Sequence, residues 1–565
     1  MRDSAVGFRS GRPSDPPGNH VAEDRSVVAD YSAWQKLRPA TRLAEAEAEG
    51  DISSGLWNHL ITVVIFAAET DAVTGLPATL ASLRGQHYRN IEVLVAGITC
   101  DLAADAADFS GHRGLFLEPE LSPLDILASA RTDRLWRGSH LVFARAGTEF
   151  DLDAFALLNG ALNPELGHAP PELVLCDHGR LAASGEFTAP SFVPGWDPDL
   201  ICAFDYIETA FLTSRALVLA QRTEHRPDSL HHWLCGIARG SRQPVTGHIA
   251  EPLMHMPASA PEPVPQTAAP AAEWTASGQA LPPMAIIIPN RNNSELLKRC
   301  VRFLEFPNNF RPELVVVDNA SDEPALDAVY DDLRKRHDAR IVQMNQPFNF
   351  SCMVNLGVAA SKAEVVLLLN NDVEIAVPGL LEQILTNALR PEIGVVGSQL
   401  LYPDGTVQHA GMILMPGSEH EHGILARHVL RGAPRTADGY LHQLRTIRNY
   451  QCVTGALQAM RREVYQRVGG YDEISFPVEF GDVDFCLRVR RAGLRVIALP
   501  LENVIHFESA TRGTETPPAV IEMRTAAKAV MVKRWPDAIA HDPFRNPWVD
   551  VGDIPEARFP WSPEP

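Results

Sequence analysis

The sequence predicts an α/β fold that occurs twice, in two tandem domains that are each built on a mostly parallel sheet. In both halves, short runs of Val, Ile and Leu alternate with amphipathic helical windows. This pattern is typical of strands that are buried on both faces of a parallel sheet and covered by helices. The runs of the first half recur in the second half at offsets of 222 to 225 residues, which indicates an internal repeat.

The chain order predicts where the domains begin and end. The N-terminal segment is rich in Pro, Gly, Ser and charge, so we expect loose order apart from a helix near Leu37–Glu49. A Pro/Ala-rich stretch between the halves predicts an extended, semi-rigid linker. The predicted segments are a loosely ordered N-terminus (1–55), a first α/β domain (56–256), a linker (257–283), a second α/β domain (284–550) and a C-terminal tail (551–565).

The first domain opens with the predicted strand ITVVIFAAE (61–69) and continues through NIEVLVAG (90–97) to LVFARAGTEF (141–150). Its counterparts in the second domain are MAIIIPNRN (284–292), PELVVVDNAS (312–321) and VLLLNNDVEI (366–375). Open sheets of this kind bind ligands beyond the carboxyl ends of their strands. Polar residues directly after these strands are therefore the functional candidates.

Composition excludes several classes of protein. With 565 residues and a net charge of −20, the chain lacks the basic surface that nonspecific nucleic-acid binding needs. We expect no membrane-spanning helix and no signal peptide, because no apolar run is long enough. The eight cysteines are single and scattered, which favours buried thiols over a disulfide or zinc framework. We expect a cytosolic protein; peripheral association with a membrane stays open.

Two acids end apolar strands of the second domain. Asp318 follows LVVV and Asp372 follows VVLLLNN. Either carboxylate could simply close a turn. Asp318 could instead accept hydrogen bonds from a base or ribose, and Asp372 could hold Mg²⁺ or Mn²⁺ while diphosphate oxygens complete the coordination.

A predicted helix from about Asp482 to Gly493 carries two acids in its first turn. At about 100° per residue, Asp482 and Asp484 diverge by roughly 200°, so both cannot face one point. Asp484 has Arg488 four residues on and is a candidate for an ion pair with it. Asp482 is therefore the candidate general base, with a plain helix N-cap as the alternative.

Cationic and imidazole side chains supply the remaining candidates. His506 follows another apolar strand and is either a structural residue or a metal ligand. Arg512 could bind diphosphate oxygens or lie in solvent. The cluster His420, His422 and His428 fits no familiar zinc spacing, and we interpret it as a flexible polar loop.

The order of these segments carries more information than any one of them. Ten motifs follow one another, namely IIIPNRN, VVVDNAS, FNFSCMVNLG, LLLNNDVE, VGSQLLYPDG, VQHAGM, VTGALQAMRREVY, VGGYDE, GDVDFCLR and HFESATRG. Together they resemble the inverting family-2 glycosyltransferases with the GT-A fold, in particular bacterial enzymes that build surface polysaccharides such as O-antigen. The resemblance covers nearly all of 284–550 and extends to DPFRNPW (542–548).

The resemblance implies roles for the nucleotide-binding residues. Pro289 and Arg291 would lie in the first nucleotide-binding loop, and Asp318 would contact a uracil or thymine base. Asn349 and Asn355 would belong to the segment that lines the nucleotide pocket.

The resemblance also implies a catalytic centre. Asn371 and Asp372 stand at the family's metal motif, His506 at the late metal-ligand position, and Asp482 at the position of the base. Arg512 would support the diphosphate. Two departures weaken the match: Asn370 replaces the first acid of the metal motif, and Gly481 replaces an acid that often precedes the base.

The first domain resembles the same family without its acids. Ala96 stands where the base-contacting Asp would be, and Ala146-Gly147 replaces the metal motif. We therefore interpret 56–256 as a degenerate copy. The predicted function is transfer of a sugar from a nucleotide-sugar donor to a hydroxyl of a glycan or lipid-linked acceptor. The alternatives are a non-catalytic scaffold and a nucleotidyltransferase, although the glycine-rich phosphate loop of the latter is missing from IIIPNRNNS.

Overall fold

The computed structural model describes residues 6–7, 31–36, 38, 58–66, 72–97, 114–118, 121–163, 169–222, 226–260, 263, 281–305, 311–376, 379–418, 422–508, 518–554 and 556–560. Its residues divide into two units. The N-terminal unit comprises Ser4–Gln266, Arg545–Asp550 and Arg558–Pro565, and the C-terminal unit comprises Met1–Asp3, Thr267–Phe544 and Val551–Ala557. Most of the expected helix near Leu37–Glu49, most of the expected linker and Arg512 lie outside the described residues.

The sheet of the N-terminal unit has ten strands. They are β1 (Val6–Gly7), β2 (Ile61–Phe66), β3 (Ile91–Ala96), β4 (Gly114–Glu118), β5 (His140–Arg145), β6 (Glu149–Phe150), β7 (Leu173–Leu181), β8 (Phe187–Ser191), β9 (Phe211–Ser214) and β10 (Thr246–Pro257). The order is β1-β10-β7-β9-β5-β2-β3-β4, with β6 on β10 and β8 on β7. Strands β5, β2, β3 and β4 are parallel, and β9 runs antiparallel between β5 and β7.

Helices and short turns connect these strands. They are α1 (Ala72–Gly85), α2 (Pro123–Ala128), α3 (Ala154–Ala161), α4 (Pro198–Ala203), α5 (Arg215–Ala220) and α6 (Leu230–Arg239), with a 3₁₀ helix at Ala130–Arg134. Their first turns carry the expected start signals. Asp197 accepts hydrogen bonds from the first turn of α4, where Pro198 has no N–H that needs an acceptor, and Ser229 caps α6.

The C-terminal unit contains an eight-stranded sheet, a four-stranded sheet and a hairpin. Its strands are β11 (Met284–Asn290), β12 (Glu313–Asp318), β13 (Arg340–Gln343), β14 (Val365–Leu369), β15 (Val373–Ile375), β16 (Ile393–Ser398), β17 (Leu400–Leu401), β18 (Val407–His409), β19 (Met412–Pro416), β20 (Ile424–His428), β21 (Arg448–Asn449), β22 (Leu457–Arg461), β23 (Arg495–Leu499) and β24 (Val504–His506). The large sheet has the order β13-β12-β11-β14-β22-β16-β23-β21, and the small sheet has the order β15-β24-β17-β18.

The helices of this unit are α7 (Ser294–Cys300), α8 (Ala325–His337), α9 (Phe350–Ala359), α10 (Leu380–Ala388), α11 (Arg462–Arg467), α12 (Gly481–Arg491), α13 (Pro518–Arg534) and α14 (Pro536–Ala540), with 3₁₀ helices at Val301–Glu305 and Tyr440–His442. Helix α7 ends at Cys300, and the 3₁₀ helix that begins at Val301 follows it directly. Gly493 ends α12 with a φ of +81°, as the sequence predicts for a helix stop.

The two large sheets follow the same path. The series β4-β3-β2-β5-β9-β7-β10 and the series β13-β12-β11-β14-β22-β16-β23 have the same order and the same strand senses. The predicted α/β class is confirmed. The sheets are mostly parallel, as predicted, with one internal antiparallel strand in each, β9 and β22.

Residues 545–550 belong to the N-terminal unit rather than to the second domain in which the sequence placed them. The Asn546 side chain donates to both carboxylate oxygens of Asp177, at 2.8 and 3.0 Å. The Trp548 indole donates to the Ala250 carbonyl, and its ring packs edge-on against Trp34. These polar and aromatic contacts fix the segment where sequence order alone would not put it.

Two further expectations concern the chain as a whole. The seven cysteines that the structure describes carry free thiols. Within the described ranges, no helix combines the length and the apolar character that crossing a membrane requires.

Candidate active site

The carboxyl ends of β14 and β24 bring Asp372 and His506 together. After β14 the chain turns through Asn370 and Asn371, and β15 then pairs with β24 so that Val373 lies opposite His506. Asp372 Oδ1 lies 3.1 Å from His506 Nε2, and each residue is only 8% exposed. The structure thus joins two residues that are 134 positions apart in the chain.

The contact between these side chains leaves a polar atom unsatisfied. In the part of the chain that the structure describes, buried Asp372 Oδ1 receives no hydrogen bond of acceptable geometry. His506 is held on its other side by Gln408, since Nδ1 lies 2.8 Å from Gln408 Oε1. A buried carboxylate oxygen facing an imidazole nitrogen is suited to a divalent cation. No group of three or more His, Cys, Asp or Glu side chains that could hold a metal occurs among the described residues, so other ligands would have to come from substrate or water.

Asp482 lies in the first turn of α12, which begins after Phe480 in a left-handed conformation. It is not the helix N-cap. Its Oδ2 accepts a 2.8 Å hydrogen bond from the Gly455 amide, and its Oδ1 accepts one of 2.9 Å from the Val483 amide. Burial raises the pKa of the Asp482 carboxyl despite these two donors.

A single loop connects Asp482 with the Asn370–Asp372 turn. Gly455 donates to Asp482, and the carbonyl of the next residue, Ala456, accepts a 2.9 Å hydrogen bond from the Asn370 amide. The candidate base and the turn that leads into Asp372 are therefore hydrogen-bonded to neighbouring peptides of one loop.

Asp484 occupies a different environment on the same helix. It is fully buried, and its oxygens bind Arg488 Nε at 2.7 Å, Arg534 Nη1 at 2.9 Å and Trp535 Nε1 at 3.0 Å. The expected ion pair with Arg488 is confirmed. The charge of Asp484 is thus taken up by internal partners, and Asp482 remains the candidate base.

Gly481 shows why an acid is missing before the base. A Cβ atom at this position would lie 2.8 Å from Ser351 Oγ and 3.2 Å from Tyr471 Cδ1. Helix α9 therefore packs too closely for a side chain here.

Two further histidines lie near the site, His409, which the sequence did not single out, and His428, which it assigned to a polar loop. His409 Nδ1 and His428 Nδ1 lie 3.0 Å apart, and His409 Nε2 accepts a hydrogen bond from the Thr454 amide, beside Gly455. Burial, then the charges of His428 and His506, hold the pKa of His409 well below its usual range. Burial also lowers the pKa of His428. The interpretation of His428 as part of a polar loop is wrong, because it ends strand β20; His422 lies in the turn before that strand and His420 lies outside the described residues.

Asp318 ends β12 and takes part in a buried network. Its Oδ1 accepts a 2.8 Å hydrogen bond from the Tyr330 hydroxyl and another from the Ser321 hydroxyl. Tyr330 accepts from the Asn290 amide, and Asn290 Oδ1 accepts from Asn371 at 2.7 Å. The network runs from the end of β12 to the turn that carries Asp372. Its hydrogen bond to Asn290 gives Asn371 a structural role in the turn that follows β14.

The remaining predicted nucleotide-binding residues have varied surroundings. Pro289 is buried near the end of β11, and Arg291 is exposed just beyond it. Asn349 caps α9 by accepting from the Cys352 amide, and its amide donates to the Glu473 carbonyl. Asn355 binds the backbone of Tyr471 through both its oxygen and its nitrogen. These two asparagines hold the 471–473 loop in place, a role that the motif did not reveal.

The fold and the site together define an α/β domain with a polar centre at its strand ends, built from an acid with a raised pKa and a buried Asp–His pair. Residues 282–526 match the family model described as Glycosyltransferase like family 2. The C-terminal part of the chain thus contains a domain of that family.

Two curated relatives extend beyond this domain. An uncharacterized protein of Sinorhizobium fredii is 28% identical over 91% of this chain and 60% of its own length. The O-antigen biosynthesis protein RfbC of Myxococcus xanthus is 30% identical over 87% of this chain and 40% of its own length. The chain therefore spans about half the length of the curated relatives it matches.

Among solved structures, the chain is similar to GalNAc-T7 crystallised with UDP, GalNAc and Mn²⁺. The match has a TM-score of 0.37 and 15% identity, and it covers 46% of this chain and 49% of that one. A likeness this low carries no conclusion about function.

Proposed function

We propose that the C-terminal unit is an inverting glycosyltransferase that moves a sugar from a nucleoside diphosphate, UDP or dTDP, to a hydroxyl of a glycan or lipid-linked acceptor. The observation that supports this most is that Asp482 and the turn leading into Asp372 are hydrogen-bonded to neighbouring peptides of one loop, inside the domain that matches the family. Synthesis of a surface polysaccharide is the proposed context, since one relative is an O-antigen biosynthesis protein. A cytosolic reaction at a membrane face is part of the proposal.

The proposed base is Asp482. Its carboxylate accepts the proton of the acceptor hydroxyl while that oxygen attacks the anomeric carbon, and the bond from that carbon to the diphosphate breaks. A single displacement of this kind inverts the anomeric configuration. The raised pKa of Asp482 supports the role, because a desolvated carboxylate is a stronger base than one in water.

Asp372 and His506 are the proposed ligands of Mg²⁺ or Mn²⁺. The buried unsatisfied Oδ1 atom fits such an ion, and so does the 3.1 Å separation of the two donor atoms. When bound, the ion supplies positive charge for the leaving diphosphate. Arg512 keeps its proposed role beside the diphosphate.

The donor nucleotide is proposed to lie at the ends of β11 and β12. In the described part of the chain, Asp318 Oδ2 takes only a long 3.4 Å hydrogen bond from the Ser321 amide. This oxygen is the one left to accept from a base. Pro289, Arg291, Asn349, Asn355 and Asn371 would frame the same pocket, with the asparagines acting through the loops they hold.

The N-terminal unit is proposed to be a degenerate copy. Its sheet follows the path of the catalytic sheet, but Ala96 ends β3 where Asp318 ends β12, and Ala146 and Gly147 follow β5 where the metal motif follows β14. Methyl groups and hydrogen atoms cannot ligate a metal. The unit would then position the acceptor or brace its neighbour.

The test uses Asp482→Asn in the full chain, with Glu479→Gln as the matched control. Glu479 is an acid three positions before the base and is paired with Arg524 at 2.6 Å. Mass spectrometry of nucleotide-sugar hydrolysis and transfer should show a loss of about 10²–10⁴-fold for Asp482→Asn and little change for Glu479→Gln. Undiminished transfer by folded Asp482→Asn would remove this residue as the base.

The competing function is a scaffold of two inactive domains. Thermal unfolding with UDP-, dTDP- and GDP-sugars, with and without Mn²⁺, separates the two functions, because a ligand that binds only the folded state raises the melting temperature. Absence of any shift would favour the scaffold.

A further inference from the structure

Gln408 lies between two charged or ionisable side chains of the same unit. Its Oε1 is 2.8 Å from His506 Nδ1, and its Nε2 donates to Glu508 Oε2 at 2.8 Å. The residue is 4% exposed, on the short buried strand β18, in the sheet that also contains β24. The side chain therefore connects a surface carboxylate to the buried imidazole.

Glu508 determines which way the amide points. A carboxylate only accepts hydrogen bonds, so the atom that faces it must be the amide nitrogen. Glu508 is itself held by the Tyr402 hydroxyl at 3.3 Å and by Arg431 at 3.6 Å. The amide oxygen is thereby directed at His506.

The amide oxygen in turn determines the tautomer of His506. A carbonyl oxygen only accepts, so Nδ1 must carry the hydrogen, and the Nε2 lone pair of the neutral ring then points at Asp372. Two lone-pair atoms 3.1 Å apart repel each other unless a cation or a proton lies between them. The arrangement thus prepares Nε2 to be a ligand.

We propose that Gln408, oriented by Glu508, is a positioning residue that holds His506 with Nε2 available for a divalent cation shared with Asp372. The inference rests on the metal-dependent function proposed above and goes beyond it, because it assigns a task to two residues outside the coordination pair. Partners that orient a ligating histidine typically change metal affinity by about 10–100-fold when they are removed.

The experiment measures binding of Mn²⁺ to the full chain by electron paramagnetic resonance of the free ion, without nucleotide and with UDP, dTDP or GDP. Gln408→Leu removes the acceptor from Nδ1 and should weaken Mn²⁺ binding by about 10–100-fold. Gln399→Leu is the matched control, since Gln399 is equally buried beside the same small sheet and its side-chain amide has no hydrogen-bond partner within the described ranges. It should bind Mn²⁺ as the wild type does.

A double variant separates positioning from general disruption. In Gln408→Glu/Glu508→Gln, the carboxylate at 408 accepts from His506 Nδ1 and from the amide at 508, so the same tautomer is restored. Mn²⁺ affinity should recover most of what Gln408→Leu loses. Wild-type affinity in Gln408→Leu, or no recovery in a folded double variant, would overturn the positioning role alone. No Mn²⁺ binding by the wild type with any of UDP, dTDP or GDP would overturn the metal dependence of the proposed function as well.

Discussion

Two acids on α12 illustrate how packing decides the chemistry of a residue. Asp484 binds two arginines and an indole, so every strong interaction of its charge is internal. Asp482, two positions away, is half-buried and has two backbone donors and a carboxyl with a raised pKa. A general base needs the second environment, because its negative charge must remain available to an incoming hydroxyl.

The raised pKa of Asp482 predicts a pH-dependent cost to stability. Between the usual Asp pKa of about 3.9 and the higher pKa of the folded state, the folded chain binds more protons than the unfolded chain. The contribution of Asp482 to stability therefore falls as pH rises through that window. The amide introduced by Asp482→Asn does not titrate, so the melting temperature of this variant minus that of the wild type should increase from pH 4 to pH 8. A constant difference would contradict the raised pKa.

At the scale of single residues, the sequence predicted which residues belong to the candidate site better than it predicted the contacts that they make. The ordered motifs singled out Asp372 and His506, and the structure brings them together. Gln408 and His409 lie in the motif VQHAGM but carried no signal of their own, because a buried amide or imidazole is ordinary in a strand. The hydrogen bonds from Asn355 to Tyr471 cross 116 positions, a distance over which no local pattern reports.

Helix α9 packs closely against the sheet, because Gly357 faces β11. A Cβ atom on Gly357 would lie 2.2 Å from Ile287 Cγ2 and 3.1 Å from Val317 Cγ2. Gly357→Ala should lower the free energy of unfolding by about 1–3 kcal/mol, measured by chemical denaturation.

Gly236→Ala is the matched control for that change. Gly236 lies within α6, is exposed, and has no atom within 4 Å of an added Cβ. Alanine there should be neutral or should stabilise by about 0.4–1 kcal/mol. A similar gain in both variants would show that helix propensity, rather than close packing, governs Gly357.

The sequence predicted most strands and helices, but it did not predict which strands pair with one another in the sheets. Apolar runs place β11 and β12 within a residue or two of their observed bounds. Periodicity says nothing about pairing, however, and the antiparallel β22 enters the sheet beside β14 after almost ninety intervening residues. Strand pairing is a long-range property, so it was beyond local patterns.

At the scale of the whole molecule, the N-terminal unit depends on a distant segment. Asp177 is fully buried, burial raises the pKa of its carboxyl, and Asn546 donates to both of its oxygens. Asn546→Leu should remove those donors and lower the free energy of unfolding of the unit by about 1–3 kcal/mol.

Hydrogen exchange gives the measurement for Asn546→Leu and contains its own control. Amides of β7 and of 191–200 should exchange faster in the variant, whereas those of β14 in the C-terminal unit should be unchanged. Unchanged exchange in β7 would show that His248 and Val193 suffice to satisfy Asp177.

The repeat in the sequence anticipated two units of one architecture, but not that residues 545–550 would belong to the earlier of them. This has a consequence for biosynthesis. A ribosome delivers the amino-terminal body long before it delivers Asn546, so Asp177 lacks the side-chain amide of Asn546 until the downstream half has emerged. The N-terminal unit can therefore complete its fold only after the C-terminal unit has been translated. A gene that was split between the two halves would give an N-terminal product that lacks residues 545–550.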